Sequence, residues 1–168
     1  DFKKMAVKDI MTPRTVLKTA PEHMKIKEFY DLNPKLKFSR IPMFKDSTDD
    51  ISGYFLKDEL FESIIDGKGD QQLKSISREI FVTNRDTPIK KLFDQLINKQ
   101  EQFALVVDEF GSVSGIVSQE DIIETLLGFE IVDESDADED LQVLAQNLWK
   151  IRAKRHGIIE NEGGLKED

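Results

Sequence analysis

The feature that most constrains the fold is an internal repeat of about sixty residues. Apolar positions recur at a fixed distance along the chain: Ile26 and Ile89 are 63 residues apart, and Gly53 and Gly115 are 62 apart. In both copies the pattern predicts a strand, a helix, two strands and a helix. One unit of this size buries too little surface to be stable alone. We therefore expect the copies to pack sheet to sheet, leaving two symmetric clefts. Each cleft should lie between the strand-to-helix turn of one copy and the leading loop of the other.

The second copy shows this pattern most clearly, at residues 103–128. Two β-rich runs, 103–107 and 113–117, flank a turn that contains Gly111. Ser118 is then a suitable N-cap for a helix, with Asp121 three residues later in the position of a capping-box partner. Gly128 is predicted to end this helix.

The remaining elements follow from periodicity and from proline and glycine positions. The whole is an α+β fold of two β-α-β-β-α repeats packed pseudo-symmetrically, plus a C-terminal helix. We divide it into 1–70, 71–130 and 131–168. Pro42 suggests an edge strand or the start of a strand. The predicted buried face of the helix over 87–99 consists of Ile89, Leu92, Phe93, Leu96 and Ile97. The other predicted elements are helices over 1–11, 21–31 and 57–66 and strands over 16–17, 40–44, 51–56 and 80–82.

Composition excludes several classes of function. The net charge of −9 and the pI near 4.8 argue against non-specific binding of nucleic acid or anionic lipid. The chain has no cysteine, and His23 and His156 are far apart among polar neighbours, so neither a thiolate nor a histidine metal site is expected. No apolar run is long enough to span a membrane. No nucleophile–base pair or Walker loop is present, so we expect no catalysis and no catalytic residue.

Ser118 and Asp121 allow two interpretations. They can cap the helix and do nothing more, which the local sequence alone favours because such caps are common. They can also bind a ligand: a helix N-terminus attracts anions, and the carboxylate of Asp121 could accept hydrogen bonds from the two hydroxyls of a ribose.

The motifs resemble a known family. With the repeated unit, residues 115–121 (GIVSQED) and 53–59 (GYFLKDE) are similar to a tandem pair of CBS domains, a Bateman module. Three further motifs resemble the CorC/HlyC and CNNM branch, and the resemblance extends over residues 5–130. These motifs are VKDIMTPR at 7–14, SRIP at 39–42 and VVDEFG at 106–111.

The resemblance implies a function. In that branch the CBS pair is the cytosolic part of a membrane protein, at the cytoplasmic face of the inner or plasma membrane. An N-terminal transmembrane domain of the same chain is linked to transport of divalent cations, mainly magnesium. The CBS pair binds adenine nucleotides (ATP, ADP or AMP, in several members ATP with Mg) and forms a disc-shaped homodimer. The competing interpretation is a structural dimerisation module without a working nucleotide site.

The resemblance also implies site residues. The ribose-binding carboxylate falls on Asp121 and the neighbouring hydroxyl on Ser118. Arg14 or Arg40 could reach a phosphate, or either could be an ordinary exposed charge. In the second cleft, Leu56 stands at the position of the serine. Glu59, preceded by Asp58, stands at the position of the aspartate. We therefore expect only a weak site there. The residues expected on the adenine side are Thr12, Pro13, Val16, Ser39 and Arg40.

The C-terminal stretch is a separate question. Residues 130–140 are strongly acidic and could hold magnesium or calcium through oxygen ligands, although a solvated linker is the favoured interpretation. No metal site is therefore assigned. Residues 139–155 predict a helix with an apolar stripe at Leu141, Leu144, Leu148 and Ile151, followed by a frayed tail.

Overall fold

A computed structural model describes residues 4–135 together with residues 146 and 150. The predicted α+β class is confirmed by this mixture of helices and sheets. Residues 136–140 of the acidic segment and the tail lie outside the described residues, and so does the predicted helix over 139–155 except for residues 146 and 150. The strands are β1 Thr12–Pro13, β2 Ala20–Pro21, β3 Arg40–Phe44, β4 Ile51–Leu56, β5 Phe81–Asn84, β6 Phe103–Val107 and β7 Val113–Ser118. The helices are α1 Ile26–Leu32, α2 Lys57–Ile65, α3 Ile89–Lys99 and α4 Gln119–Ser135.

The strands form two sheets that repeat the same local pattern. One sheet has the order β2-β3-β4 and the other β1-β7-β6-β5. In both, a parallel strand precedes an antiparallel pair, and the pair has a register shift at equivalent places, after Met43 and after Val106. Strand β1 comes from the first repeat but pairs with β7 of the second. The two repeats are therefore joined through a shared sheet.

Each repeat also exchanges its leading segment with the other. We define the leading segments as residues 5–13 and 71–79. The N–H of Val7 donates to the carbonyl of Thr87 at 2.9 Å, and the N–H of Leu73 donates to the carbonyl of Met24 at 2.8 Å. Val7 and Leu73 are 66 residues apart and occupy equivalent positions in the two leading segments. The two hydrogen bonds are therefore equivalent: each runs from one leading segment to the opposite repeat. Neither repeat completes its backbone pairing without the other.

The two hydrophobic cores reflect this exchange. Val7 and Ile10 are buried with the helices and strands of the second repeat, and Leu73 is buried with those of the first. Burying one such side chain contributes about 1.5–3 kcal/mol. The first core comprises Ala20, Ile26, Phe29, Ile41, Met43, Phe55, Leu60 and Leu73. The second comprises Val7, Ile10, Ile89, Leu92, Leu96, Ala104, Val106, Val117 and Ile122.

The repeated glycines mark the closest approach between the repeats. A Cβ atom on Gly53 would lie 2.5 Å from the Ser77 hydroxyl and 2.7 Å from the Arg78 carbonyl oxygen. A Cβ atom on Gly115 would collide with the carbonyl oxygen of Thr12. Only glycine lets the opposite leading segment lie so close to the strand.

Several predictions for the first repeat are wrong at its N-terminal side. Residues 4–11, the described part of the helix predicted over 1–11, form a short 3₁₀ turn at Val7–Asp9 and no α-helix, because this backbone bonds to the second repeat. The strand predicted over 16–17 is also wrong, since Arg14–Val16 is a 3₁₀ turn and the short strand is Ala20–Pro21. Helix α1 begins at Ile26, five residues later than predicted.

Three further expectations need correction. Ile97 is not buried, with 49% of its surface exposed on the outer side of α3. Helix α4 does not end at Gly128 but continues to Ser135, since an interior glycine costs a helix only about 1 kcal/mol. Pro42 lies in β3, the middle strand of its sheet. The proline is tolerated because β2 pairs with β3 only at Met43 and Phe44.

Within the part of the chain that the structure describes, no helix is both long enough and apolar enough to cross a bilayer.

Candidate functional site

The candidate site is centred on the start of α4, where Ser118 and Asp121 cap the helix reciprocally. The N–H of Ser118 donates to Oδ2 of Asp121 at 2.9 Å, and the N–H of Asp121 donates to Oγ of Ser118 at 3.1 Å. Both residues are buried, Asp121 with 1% of its surface exposed. The predicted capping box is thus confirmed. The N–H of Gln119 is also used, because it donates to the carbonyl of Gln102 at 2.9 Å.

Thr12 and Pro13 of the first repeat lie beside this cap. In the β1–β7 ladder, Thr12 pairs with Ile116 and Pro13 with Gly115. Ile116 is two residues before Ser118 on the same strand, and Thr12 is buried. The structure therefore brings the first leading segment against the strand that ends in the cap, as the expected arrangement of the cleft requires.

Arg40 approaches the same end of the sheet from the first repeat. It begins β3, opposite Leu56, and its guanidinium carbon lies 5.8 Å from the ring centroid of Phe103. Phe103 pairs with Ser118 in the β6–β7 ladder, so Arg40 contacts the ring of the residue that is paired with Ser118. This distance allows a cation–π contact. Ser39, directly before Arg40, is exposed, and its carbonyl accepts the N–H of Lys57 at 2.9 Å.

Arg14 lies apart from this group. Its guanidinium forms an ion pair with Asp49 at 2.6 Å and donates to the Thr48 hydroxyl at 3.2 Å and to the Val113 carbonyl at 3.5 Å. Val113 begins β7 and Ser118 ends it, so Arg14 lies at the far end of the strand from the cap. Of the two interpretations given for Arg14, this position matches the ordinary exposed charge and not the phosphate contact. Val16 ends the same 3₁₀ turn and is half-buried.

An open cleft of about 400 Å³ lies at the end of β4, but neither Asp58 nor Glu59, the residues predicted for the weak site, lines it. Leu56 precedes α2 and makes no side-chain cap, and Glu59 forms an ion pair with Arg78 at 3.2 Å. Asp58 is exposed. This cleft therefore lacks the reciprocal cap of the other copy. We name it the second cleft; it is lined by Arg40, Tyr54, Leu56, Arg78, Glu79, Gln100, Glu101 and Gln102.

Residues 78–80 are the structural counterparts of Thr12, Pro13 and Arg14. Arg78 bridges to Tyr54 just as Thr12 pairs with Ile116. Neither Arg78 nor Tyr54 was predicted as a site residue, because the 63-residue offset does not hold in the leading segments, where the offset is 66. Tyr54 packs edge-on against Phe103, with ring centroids 4.7 Å apart. Burial, followed by the negative charge of Glu101, raises the pKa of Tyr54.

The described residues contain no group of three or more histidine, cysteine, aspartate or glutamate side chains that could hold a metal ion. Residues 136–140 of the acidic stretch considered for magnesium or calcium lie outside those residues.

Comparison with known proteins agrees with this geometry. Residues 73–128 match the family profile of the CBS domain. UPF0053 protein sll1254 of Synechocystis sp. is 31% identical over 154 residues, which cover 92% of this chain and 44% of that protein. Magnesium and cobalt efflux protein CorC of Buchnera aphidicola is 30% identical over 152 residues, which cover 89% of this chain and 52% of that protein.

A solved structure gives the same result at the level of the fold. It is described as the CBS domain of the bacterial CNNM/CorC family Mg2+ transporter in complex with ATP. It matches with a TM-score of 0.68 and 26% identity, covering 73% of this chain and 87% of that one. The resemblance to CBS domains of the CorC and CNNM type is confirmed. The chain spans about half the length of the curated relatives it matches.

Proposed function

We propose that this chain, with a CBS domain at residues 73–128 and CorC efflux proteins among its relatives, is a regulatory module that binds an adenine nucleotide. The nucleotide would be ATP, ADP or AMP, alone or with Mg. Its binding would control a membrane domain of the same parent chain that takes part in transport of magnesium or another divalent cation. The change in the membrane domain must come from a difference in nucleotide affinity between two states of the module.

One observation carries the proposal: residues of the first repeat contact the two strands, β6 and β7, that border the start of α4. Thr12 comes from the first leading segment, Arg40 from β3, and Ser118 and Asp121 from the second repeat. A ligand bound among them would contact both repeats, so it could change how they pack. The solved relative in complex with ATP supports the choice of ligand.

In this proposal the carboxylate of Asp121 accepts hydrogen bonds from the ribose hydroxyls, and the hydroxyl of Ser118 donates a hydrogen bond nearby. Thr12, Pro13, Val16 and Ser39 enclose the base, and Arg40 faces a phosphate. Arg14 would have to leave Asp49 to take part, so we assign it the smallest role. Asp58 and Glu59 would form at most a weak second site, because Glu59 is already paired with Arg78.

The second candidate is a structural dimerisation module without a nucleotide. It is favoured by the cap itself, since Ser118 and Asp121 have a structural task without any ligand. Phe103 further supports it, because this ring fills space between the repeats and is only 2% exposed.

The remaining parts of the proposal concern the parent protein. The module would form a homodimer, lie at the cytoplasmic face of the inner or plasma membrane, and catalyse no reaction. Its repeats would divide near residues 70 and 130, with α4 extending past the second boundary to Ser135. Light scattering coupled to size-exclusion chromatography tests the dimer directly.

Isothermal titration calorimetry with ATP, ADP and AMP, each with and without magnesium, tests nucleotide binding. We expect saturation near one nucleotide per chain. Asp121→Asn should weaken binding more than tenfold, because hydrogen bonds to a charged acceptor contribute about 1.5–3 kcal/mol each. Asparagine retains an oxygen for the Ser118 N–H, so the variant should stay folded.

The matched control is Glu59→Gln, which makes the same chemical change at the equivalent helix start of the first repeat. It should leave the affinity within about twofold, the size expected for an exposed charge. If none of the three nucleotides binds at millimolar concentration, the proposal is wrong and the dimerisation module is the better account. Equal losses in the two variants would place the nucleotide elsewhere.

A further inference from the structure

One side of helix α4 changes from acidic to apolar along its length. Glu120, Glu124 and Leu127 follow one another at intervals of four and three residues, so they lie on the same side of the helix. Leu127 has 55% of its surface exposed, and Ile123, next to this row, has 41% exposed. Ile122, on the far side of the helix, is fully buried in the second core. We name the row of Glu120, Glu124 and Leu127 the outer face of α4.

The C-terminal segment, residues 139–155, has the complementary order. Its predicted apolar stripe includes Leu148 and Ile151. Arg152 follows Leu148 by four residues and Arg155 follows Ile151 by four, so on a helix both arginines extend the stripe. The stripe therefore changes from apolar to basic, whereas the outer face of α4 changes from acidic to apolar. The two surfaces match in charge and in apolar character if the helices run in opposite directions.

Gln146 and Lys150 indicate which side of this segment faces solvent. Both residues are helical, and both are exposed. Each is two residues from Leu148, which corresponds to about 200° around a helix of 3.6 residues per turn. The exposed positions are therefore on the side opposite the stripe, and the stripe is on the side that can face the rest of the chain.

The connection between α4 and the segment is short. Helix α4 ends at Ser135 and the segment is predicted to begin at residue 139, which leaves three residues between them. Loops of about two to five residues commonly join antiparallel helices. At 1.5 Å per residue, Leu127 lies about 12 Å before the end of α4, and Leu148 lies about 14 Å beyond the start of the segment. A reversal of direction at 136–138 would therefore place the two leucines opposite each other.

The same register brings opposite charges together. Glu124 and Glu120 lie about 17 and 22 Å before the end of α4. Arg152 and Arg155 lie about 20 and 24 Å beyond the start of the segment. Each glutamate is therefore level with an arginine to within about one helical turn. Apolar and charged contacts thus agree on a single antiparallel register.

We propose that residues 139–155 dock antiparallel on the outer face of α4 in the same chain. Leu148 packs against Leu127, and the two arginines lie against the two glutamates. The occupant is the chain's own segment, because a three-residue connection keeps it beside α4 at a high effective concentration. Asp121 of the cap follows Glu120 directly, so the docked segment borders the candidate nucleotide site. The docking itself requires no nucleotide, so its test is independent of the proposed function.

Disulfide cross-linking tests this docking, because the chain has no cysteine of its own. Leu127→Cys/Leu148→Cys should form an intrachain disulfide, identified by mass spectrometry, with a high effective concentration of the two thiols measured against glutathione. Leu127 is largely exposed, so its replacement should leave the fold intact. Leu127→Cys/Gln146→Cys places the second thiol on the opposite side of the segment. Its effective concentration should be at least about tenfold lower, because the two Cβ atoms of a disulfide must come within about 4.5 Å.

The matched control uses α2, where Glu62 and Ile65 occupy the positions of Glu124 and Leu127, 62 residues earlier. Ile65 is 83% exposed, and Ile65→Cys/Leu148→Cys should also give an effective concentration at least about tenfold lower. Equal values for the Leu127 and Ile65 pairs would overturn the proposal. A disulfide that joins two chains would also overturn it, because the segment would then pack on a second copy.

Charge reversal tests the register. Glu124→Lys should lower the effective concentration in the Leu127/Leu148 pair about threefold at low salt, because it replaces an exposed ion pair by a repulsion. Added salt should reduce this effect. Glu62→Lys makes the same change on α2 and should leave the value unchanged. Equal effects of the two variants would overturn the proposed antiparallel register.

Discussion

At the scale of single residues, Ser118 and Asp121 have two roles. The groups that are proposed to contact a ribose also cap the start of α4. The capping exchange was predictable because S-x-x-D is a local pattern whose partners are three residues apart. The ion pair of Arg14 with Asp49 was not, since the partners are 35 positions apart and meet only after the β3–β4 hairpin has folded. Contacts between residues that are close in sequence can therefore be predicted from local patterns. Contacts between distant residues can be identified only once the fold is known.

The first prediction concerns the cap. Ser118→Ala removes the acceptor for the Asp121 N–H and should lower the free energy of unfolding by about 1 kcal/mol. Urea denaturation of the nucleotide-free chain measures this change. Ser114→Ala, on the same strand but outside the cap, is the control and should cost less. Equal costs would mean that the cap contributes nothing of its own.

The second prediction concerns Tyr54 and alkaline pH. Burial, and then Glu101, raises the folded-state pKa of Tyr54 above its ordinary value of 10.0. The folded chain therefore resists deprotonation, and this contribution to stability is present below pH 10 and is lost as pH rises through the folded-state pKa. Wild-type chain should lose stability above pH 10 more steeply than Tyr54→Phe. Parallel pH profiles of unfolding free energy would contradict this.

At the scale of elements, the exchanged leading segments decide how the repeats hold together. Periodicity located β3, β4 and β6 at their observed bounds and α2 and α3 to within two residues. It failed for residues 5–13, because this short stretch takes its conformation from hydrogen bonds to the second repeat rather than from its own sequence. Tertiary contacts overrode the local helical preference there.

The third prediction follows from this exchange. Leu73→Ala should cost about 2–5 kcal/mol, because the side chain is fully buried. Although Leu73 belongs to the second repeat in sequence, the loosened region should be the first core. Native-state hydrogen exchange should show faster exchange in α1 and β3 than in α3 and β6. The reverse pattern would show that the segments are not exchanged in solution.

At the scale of the whole molecule, two nearly symmetric halves carry two unequal clefts. One has Ser118 and Asp121 at its helix start, and the other has Leu56 and an ion-paired Glu59. The repeat and the inequality were both readable from the sequence, since residues 53–59 and 115–121 align directly. Arg78 was not, because its place beside Tyr54 depends on the shifted offset of the leading segments.

Hydrogen–deuterium exchange of the chain with and without saturating ATP tests the central claim, one nucleotide site built from both repeats. ATP should slow exchange together in the first turn of α4, at residues 12–20 and at residues 36–40, with residues 71–80 unchanged. Protection confined to residues 71–80 and α2 would place the nucleotide in the second cleft. If no segment were protected, nucleotide binding would be contradicted, and the structural dimerisation module would be the better account.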